Sequence, residues 1–149
     1  MRKKNFYIVS IVMLILGIYG FTKWADYREK NLVDLLDFNK IEKIHYKQLP
    51  LMDDMAAYNR QLTDDAAIQE LISFLSQYKV KKLGDRDFIS AYTEEQFQFQ
   101  LEYKDDRVTL PSLIERDVLL NDMHQYKIIN GPVDYEWLEE FLERKGEEL

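Results

Sequence analysis

The chain contains no cysteine among its 149 residues. This absence excludes structural disulfides, thiolate metal sites, a cysteine nucleophile and the lipid-modified cysteine of a bacterial lipoprotein. Glycine is also scarce, and beyond the first quarter of the chain only the isolated Gly84, Gly131 and Gly146 occur. A glycine-rich loop of the kind that cradles phosphates is therefore excluded as well.

Recognisable catalytic motifs are missing too. The chain has five serines, none of which lies in a Gly-x-Ser-x-Gly or Ser-x-x-Lys pattern. Asn-x-Ser/Thr glycosylation acceptors do not occur. We therefore predict a protein without enzymatic activity, without catalytic residues and without a bound cofactor.

Histidine is the next scarce residue, with His45 and His124 as its two copies. They fall in different predicted elements, without the i, i+3 or i, i+4 spacing of helical metal ligands. We predict no metal site. In its strand, His45 is expected on the face opposite Ile44 and Tyr46, as a solvated side chain.

Acidic residues occur in several adjacent pairs. Asp64-Asp65 suits a helix N-terminus and Asp105-Asp106 suits a turn, whereas Asp53-Asp54 has no structural explanation. The Asp85-Arg86-Asp87 segment lacks the alternating oxygens and the glycine of a calcium loop. An alternative hypothesis is a hydrolase that depends on surface carboxylates, with Asp53, Asp54, Asp85 and Asp87 as its candidates.

One feature stands out among what is present. Three basic residues, Arg2-Lys3-Lys4, precede an uncharged run over residues 5–22. Because a helix rises about 1.5 Å per residue, such a run can cross a hydrocarbon core of about 30 Å. Residues 1–22 are therefore predicted to be a basic start and a single-pass transmembrane signal-anchor.

A cleaved secretory signal peptide is the rival interpretation of the same run. Gly20 would precede the cut, but Ile18 two positions earlier fits the small-residue rule poorly. Bulky Phe21, Trp24 and Tyr27 are better suited to the aromatic belt at a membrane interface. The uncleaved anchor is the favoured interpretation.

Charge predicts the orientation of this anchor. The amino terminus and three basic residues precede the span, and Lys23, Arg28 and Lys30 follow it, which favours a cytoplasmic N-terminus. After the span, 17 basic and 27 acidic residues leave a formal charge of −10. A domain this acidic would be repelled by the phosphate backbone of a nucleic acid. Nucleic-acid binding is therefore not expected.

Hydrophobic periodicity divides the remainder into a linker and one domain. Residues 23–39 are predicted to form an amphipathic juxtamembrane helix that continues the anchor, with Leu32, Leu35 and Leu36 resting on the domain. Residues 40–149 are predicted to form a single soluble α+β domain.

Within this domain the pattern predicts a strand over residues 41–49, a loop over 51–61, and a helix capped by Thr63 that ends near 79–83. The alternation of residues 97–103 predicts the strongest strand. Further strands are expected at 107–110, 118–120 and 126–129. A final helix capped by Asp134 precedes a frayed tail after Arg144. Consecutive strands with short turns imply an antiparallel sheet with the helices on one face.

Tyrosine is abundant, and most of its copies are predicted to pack in the core. Tyr58 and Tyr92 fall in predicted loops. These two are the candidates for surface contacts.

The arrangement of elements resembles that of small membrane-anchored extracytoplasmic proteins of unknown function from Bacillus-like bacteria. The residues that carry the resemblance are 2–22, 41–46, 63–75 and the Tyr126-Lys127-Ile128 strand with the helix ending at Leu142. Many such proteins use a lipobox cysteine, which this chain does not have. The resemblance implies a tethered α+β domain and carries no active site across.

We therefore expect a non-enzymatic binding or accessory module, tethered to the cell membrane through residues 5–22 with its C-terminal domain outside. Its expected partner is another protein. A narrower hypothesis, prompted by the −10 charge that follows from the composition, is an immunity-type protein that binds a basic partner.

Overall fold

The computed structural model describes residues 2–49, 57–84 and 88–149, with side chains from residue 7 onward in the first helix. These residues form a long apolar helix followed by an antiparallel sheet of nine strands with helices packed on it. The predicted α+β class is confirmed. Predictions that concern Asp53-Asp54 and Asp85-Arg86-Asp87 lie outside the described residues.

The first helix, α1, spans Arg2–Tyr27. Over Tyr7–Tyr27 its mean hydropathy is 1.8, and 0% of that apolar window is buried. In the described part of the chain it is the one helix that is long and apolar enough to cross a membrane.

The chain leaves α1 through a short strand, β1 (Lys30–Asn31), and a short helix, α2 (Leu32–Leu36). The prediction of one continuous helix over 23–39 is therefore wrong. Lys30 pairs with Val80 at the edge of the sheet, and this ladder requires extended backbone. The predicted apolar contact is confirmed, because Leu32 and Leu36 are buried in the core.

All strand pairs in the sheet are antiparallel, and the spatial order is β1-β4-β8-β7-β6-β5-β2-β3-β9. Strands β5 to β8 form a meander of sequential neighbours at the centre. The bounds are β2 Ile41–Tyr46, β3 Arg60–Leu62, β4 Lys79–Lys82, β5 Gln96–Tyr103, β6 Ser112–Glu115, β7 Val118–Asn121, β8 His124–Ile128 and β9 Glu147–Glu148.

The predicted strand over 107–110 is wrong. Within that segment, Val108 makes one isolated bridge to Glu102, and the Thr109 hydroxyl accepts the Leu101 backbone N–H at 3.0 Å. The strand that follows β5 in the chain and pairs with it, β6, begins at Ser112, just after Pro111. Proline has no N–H to donate to a ladder, which delays the return strand past that residue.

The tail after Arg144 is not frayed, contrary to prediction. Glu147 and Glu148 form β9, which pairs with Gln61 and Arg60 of β3. The segment over 51–61 was predicted as a loop, yet its last residues belong to β3. Both short strands consist mostly of polar residues, and β9 is extended because it pairs with β3, which is distant in the chain.

Helix α3 spans Asp65–Ser76 and helix α4 spans Tyr135–Lys145. The cap of α3 is Asp64, whose carboxylate accepts the Ala67 N–H at 2.9 Å; the prediction of Thr63 is wrong. Asp134 caps α4 as predicted and accepts the Trp137 N–H at 3.0 Å. Helix α3 ends earlier than predicted, since β4 already begins at Lys79.

A single hydrophobic core joins α2, α3, α4 and one face of the sheet. An aromatic stack links the two longer domain helices, with ring centroids 3.8 Å apart for Phe74 and Trp137 and 4.9 Å apart for Trp137 and Phe141. The predicted core role of tyrosine is confirmed for the four buried copies, Tyr46, Tyr78, Tyr103 and Tyr126.

Candidate interaction surface

The second face of the sheet carries most of the polar side chains of the described strands. Side chains alternate along a strand, so the neighbours of core residues such as Ile44 and Phe99 point away from the helices. We call this surface the open face. Its side chains are half-buried or exposed: Lys43, His45, Gln61, Lys81, Gln98, Gln100, Glu102, Leu113, Val118, Leu120, Gln125 and Lys127.

Strand register arranges these side chains in rows across the sheet. Gln61, His45 and Gln100 lie side by side on β3, β2 and β5. A second row runs from Gln98 through Leu113 and Leu120 to Gln125 on β8. Each amide both donates and accepts hydrogen bonds, and the two leucines between them offer apolar area. Such a mixture suits contact with another polypeptide.

His45 lies on the open face, opposite Ile44 and Tyr46 as predicted. Its Nε2 atom is 2.6 Å from Oε2 of Glu102, and Lys43 Nζ donates to the other Glu102 oxygen at 3.2 Å. The hydrogen bond from His45, with a further one from Lys43, lowers the pKa of Glu102 below its usual value. His45 is thus a paired, half-buried side chain, which corrects the predicted solvated histidine.

One end of the open face is covered by the segment 88–92, which Glu115 holds in place. Glu115 is 3% exposed, and its carboxylate accepts the backbone N–H groups of Ala91 at 2.8 Å and Tyr92 at 2.9 Å. It also accepts the Ser90 hydroxyl at 2.7 Å and the Gln96 amide at 2.6 Å. Burial favours the neutral acid, but these donors outweigh it and keep the pKa of Glu115 below its usual value.

Arg116 extends this cluster to the surface. Its guanidinium lies 4.4 Å from the centroid of the Tyr92 ring and donates to Glu95 at 3.2 Å. Behind it, a groove of about 390 Å³ reaches the first turn of α4, where burial raises the pKa of Tyr135. Tyr92 remains 39% exposed, so this predicted contact residue does reach the surface.

A second cavity, of about 310 Å³, lies between β2, β3 and α4. Its wall includes Tyr46, whose hydroxyl donates to the Leu142 carbonyl at 3.1 Å. Arg60 also lines it, and its guanidinium donates to the Gly146 carbonyl at 3.2 Å. The Tyr46 hydroxyl and the Arg60 guanidinium thus join the end of α4 to the sheet.

The other predicted residues are spread over the domain. His124 is exposed at the start of β8, away from His45 on β2. Asp105 accepts from Arg107 at 2.8 Å, and Asp106 has a positive φ of 62°, as the predicted turn requires. Tyr58 is half-buried, and burial raises its pKa. Among the described residues, no three histidine, aspartate or glutamate side chains converge on a metal-sized site.

The junction between α1 and the domain is also polar. Lys82 of β4 donates to the Asp26 carboxylate at 2.8 Å, and Lys30 Nζ lies 3.7 Å from the same carboxylate. The hydrogen bond to Asp26 raises the pKa of Lys82. The Lys82 ammonium also lies 6.0 Å from the centroid of the Tyr27 ring. These contacts hold the last turn of α1 against the edge of the sheet.

Two features of the site escaped prediction. The pairing of His45 with Glu102 depends on the register between strands that are 57 residues apart in the sequence. Glu115 carries no local signal, because its donors lie 19–25 residues earlier in the chain, on β5 and in the preceding loop. The alternation of residues 97–103 did predict that one face of β5 would stay polar.

Comparison with protein families, characterised proteins and solved structures finds no match to this chain.

Proposed function

We propose that this chain is a membrane-tethered binding or accessory module without a catalytic role, and that its open face contacts another protein outside the cell. The observation that carries the proposal is the contrast between α1 and the domain. The apolar window of α1 is 0% buried, whereas the domain that follows has its own core. A helix that exposes so much apolar surface is expected to be covered by lipid.

The charge distribution supports the orientation. Arg2, Lys3 and Lys4 precede the span, and a retained basic segment favours a cytoplasmic N-terminus. The domain beyond the span carries the whole acidic excess. These observations favour a single-pass protein with its C-terminal domain on the outer side of the cell membrane.

The open face is the preferred contact surface because α2, α3 and α4 pack on the other face of the sheet and leave it accessible. Glu102 and His45 hold each other at 2.6 Å, which lowers the entropy cost of ordering them at an interface. The row from Gln98 to Gln125 places two leucines between two amides. A protein partner with exposed backbone and aliphatic side chains would complement that row.

Protease treatment of intact cells tests the tether and its orientation. A tag at the C-terminus of the full-length chain should be removed by protease added outside, while the remaining fragment stays with the membrane. Protection of the tag in intact cells would reverse the orientation. Release of a shortened chain into the medium would show that the first residues are a signal peptide.

Site-specific photocrosslinking tests the contact surface. A photoreactive amino acid at Gln98 or Leu113 should form one recurrent adduct in intact cells. The matched control is Glu70 on the exposed side of α3, which faces away from the sheet. Equal adducts from both sides, or none from the open face, would contradict the proposal.

A second candidate is an immunity-type protein that binds a basic partner, and the exposed side of α4 favours it. Glu136, Glu140 and Glu143 are exposed along this helix. Their common sign would attract a basic surface, and the attraction would weaken as salt screens it. Binding of a basic partner that persists unchanged at high salt would exclude this candidate.

A further inference from the structure

The turn between β7 and β8 exposes an unusual residue. Asp122 and Met123 form a two-residue connection, because Asn121 pairs directly with His124. Both have positive φ, 47° and 60°, as a type I′ turn requires. Asparagine and glycine are the residues this turn favours, yet Met123 stands at its second position with its side chain 95% exposed.

This turn lies at the end of the domain that meets α1. Lys82, which donates to Asp26, pairs in the sheet with Tyr126 of β8. His124, next to Met123, is the first residue of β8 and lies two residues before Tyr126 in that strand. Asp26 is one residue before the end of the apolar helix. The tip of the β7–β8 hairpin therefore lies beside the helix end that would emerge from the membrane.

The β7–β8 tip and the end of α1 extend over comparable distances from the contact between Lys82 and Asp26. A strand rises about 3.3 Å per residue, so the tip extends about 10 Å from Tyr126 to Met123. A helix rises about 1.5 Å per residue, so Phe21 lies about 8 Å along α1 from Asp26. Phe21 and Trp24, with ring centroids 5.9 Å apart, are the interfacial aromatic residues of the predicted anchor.

We infer that Met123 inserts into the interface of the bilayer that α1 crosses, so that the domain docks on the membrane through its β7–β8 turn. This inference rests on the proposed function, since it requires α1 to be in the membrane. A thioether side chain is apolar and flexible, which suits it to the irregular boundary between headgroups and acyl chains. Lys82, which pairs with Tyr126 in the sheet, supplies a cation between the turn and α1.

Such a contact would orient the domain. Strands β6 and β7 are joined by a turn at Arg116 and Asp117. This turn lies at the other end of β7 from Met123. The cluster around Glu115 would then point away from the membrane. One attachment through α1 leaves rotation about the helix axis free, and a second contact at Met123 would restrict it.

The absence of cysteine allows a clean test, because a single introduced thiol takes one label. The full-length chain carrying Met123→Cys would be labelled with an environment-sensitive fluorophore and reconstituted into vesicles of phosphatidylglycerol and phosphatidylethanolamine. The matched control is Ile89→Cys, at a residue that is 83% exposed and lies next to the Glu115 cluster at the other end of the strands. A third label at Ile15→Cys reports whether α1 is inserted.

Quenchers attached to the acyl chains should reduce the emission at position 123 at least twofold, with no reduction at position 89. If the label at position 15 is strongly quenched while the labels at positions 123 and 89 are quenched weakly and equally, the docking inference is overturned and the tether stands. The absence of quenching at 15 would overturn both the tether and the docking.

Discussion

A β-carbon at Gly146 would overlap the hydroxyl group of Tyr46 and lie 2.6 Å from the carbonyl oxygen of Leu142. The Tyr46 hydroxyl donates to that same carbonyl at 3.1 Å. The backbone of Gly146 has an ordinary φ of −79°, so close approach explains the glycine here, not an unusual conformation. This contact joins β2, the end of α4 and the start of β9.

Replacing Gly146 by alanine should therefore destabilise the domain. Overpacking of this kind typically costs about 1–3 kcal/mol, because neighbouring groups must shift. The free energy of unfolding would be measured by denaturant titration of the full-length chain in detergent micelles. The near-ultraviolet circular dichroism of the stacked Trp137 would report the transition.

Two variants control this experiment. Gly84→Ala is the matched change, since a β-carbon at Gly84 meets no atom of the described residues within 4 Å, and it should leave stability unchanged. Adding Tyr46→Phe to Gly146→Ala should recover part of the loss. The recovery would stay incomplete, because the ring carbon that bears the hydroxyl lies 2.8 Å from the same position. Full stability of Gly146→Ala alone would contradict the described contact.

Glu115→Gln should release the segment 88–92 from the sheet. The amide would present N–H groups to backbone donors that now bond a carboxylate, and each lost or unsatisfied bond costs about 1–3 kcal/mol. Limited proteolysis should cut the variant within that segment faster than the unchanged protein. A variant with unchanged proteolysis would show that the segment is held by other contacts.

The same carboxylate predicts a pH dependence. The folded pKa of Glu115 lies below 4.5, its ordinary value, so its stabilising effect is complete above that value. The effect is lost as the pH falls through the folded pKa, when the carboxylate takes up a proton. Unfolding curves measured from pH 7 down to pH 3 should therefore show a smaller loss of stability for Glu115→Gln than for the unchanged protein.

Removing the imidazole of His45 should change the titration of Glu102. The hydrogen bond from His45 is the largest cause of the low pKa of Glu102, so His45→Ala should raise that pKa toward 4.5. Carbon-13 resonances of the side-chain carboxyl groups would follow the titration. His124→Ala, at the exposed second histidine, should leave it unchanged; equal shifts in both variants would exclude a specific pair.

Met123→Gly should separate folding from membrane contact. Glycine adopts positive φ without steric cost, so the variant should gain about 1 kcal/mol of stability in detergent. If the side chain contacts lipid, the same variant should also increase the rotational freedom of the domain in vesicles, seen as a lower fluorescence anisotropy of a label at position 89. Gain of stability without any change in anisotropy would assign Met123 a purely local role.

The sequence predicts those elements whose signals are local. The alternation of Phe97, Phe99 and Leu101 defines β5, and the Asp134 cap defines the start of α4. Their stability depends on period and capping within a few residues. The α+β class follows from such elements, because successive strands with short turns pair as antiparallel neighbours.

The elements that escaped prediction depend on distant partners. Strands β3 and β9 consist mostly of polar residues. Strand β3 is extended between β2 on one side and β9 on the other, and β9 is extended because it pairs with β3, 86 positions away in the chain at Gln61 and Glu147. Strand β1 forms because β4 offers an edge to Lys30, where helical periodicity alone favours a continuous helix. Tertiary pairing thus overrides local propensity at both edges of the sheet.

The strand order also has a consequence for the timing of synthesis. Strands β5 to β8 pair with their neighbours in sequence, so this central meander can form as soon as residue 128 has left the ribosome. Strands β1 to β4 emerge earlier, but they pair only as β1 with β4 and β2 with β3, and these pairs join the sheet once β8 and β5 offer their edges. The half of the domain that is made first is thus completed last, after the meander has provided the edges on which it assembles.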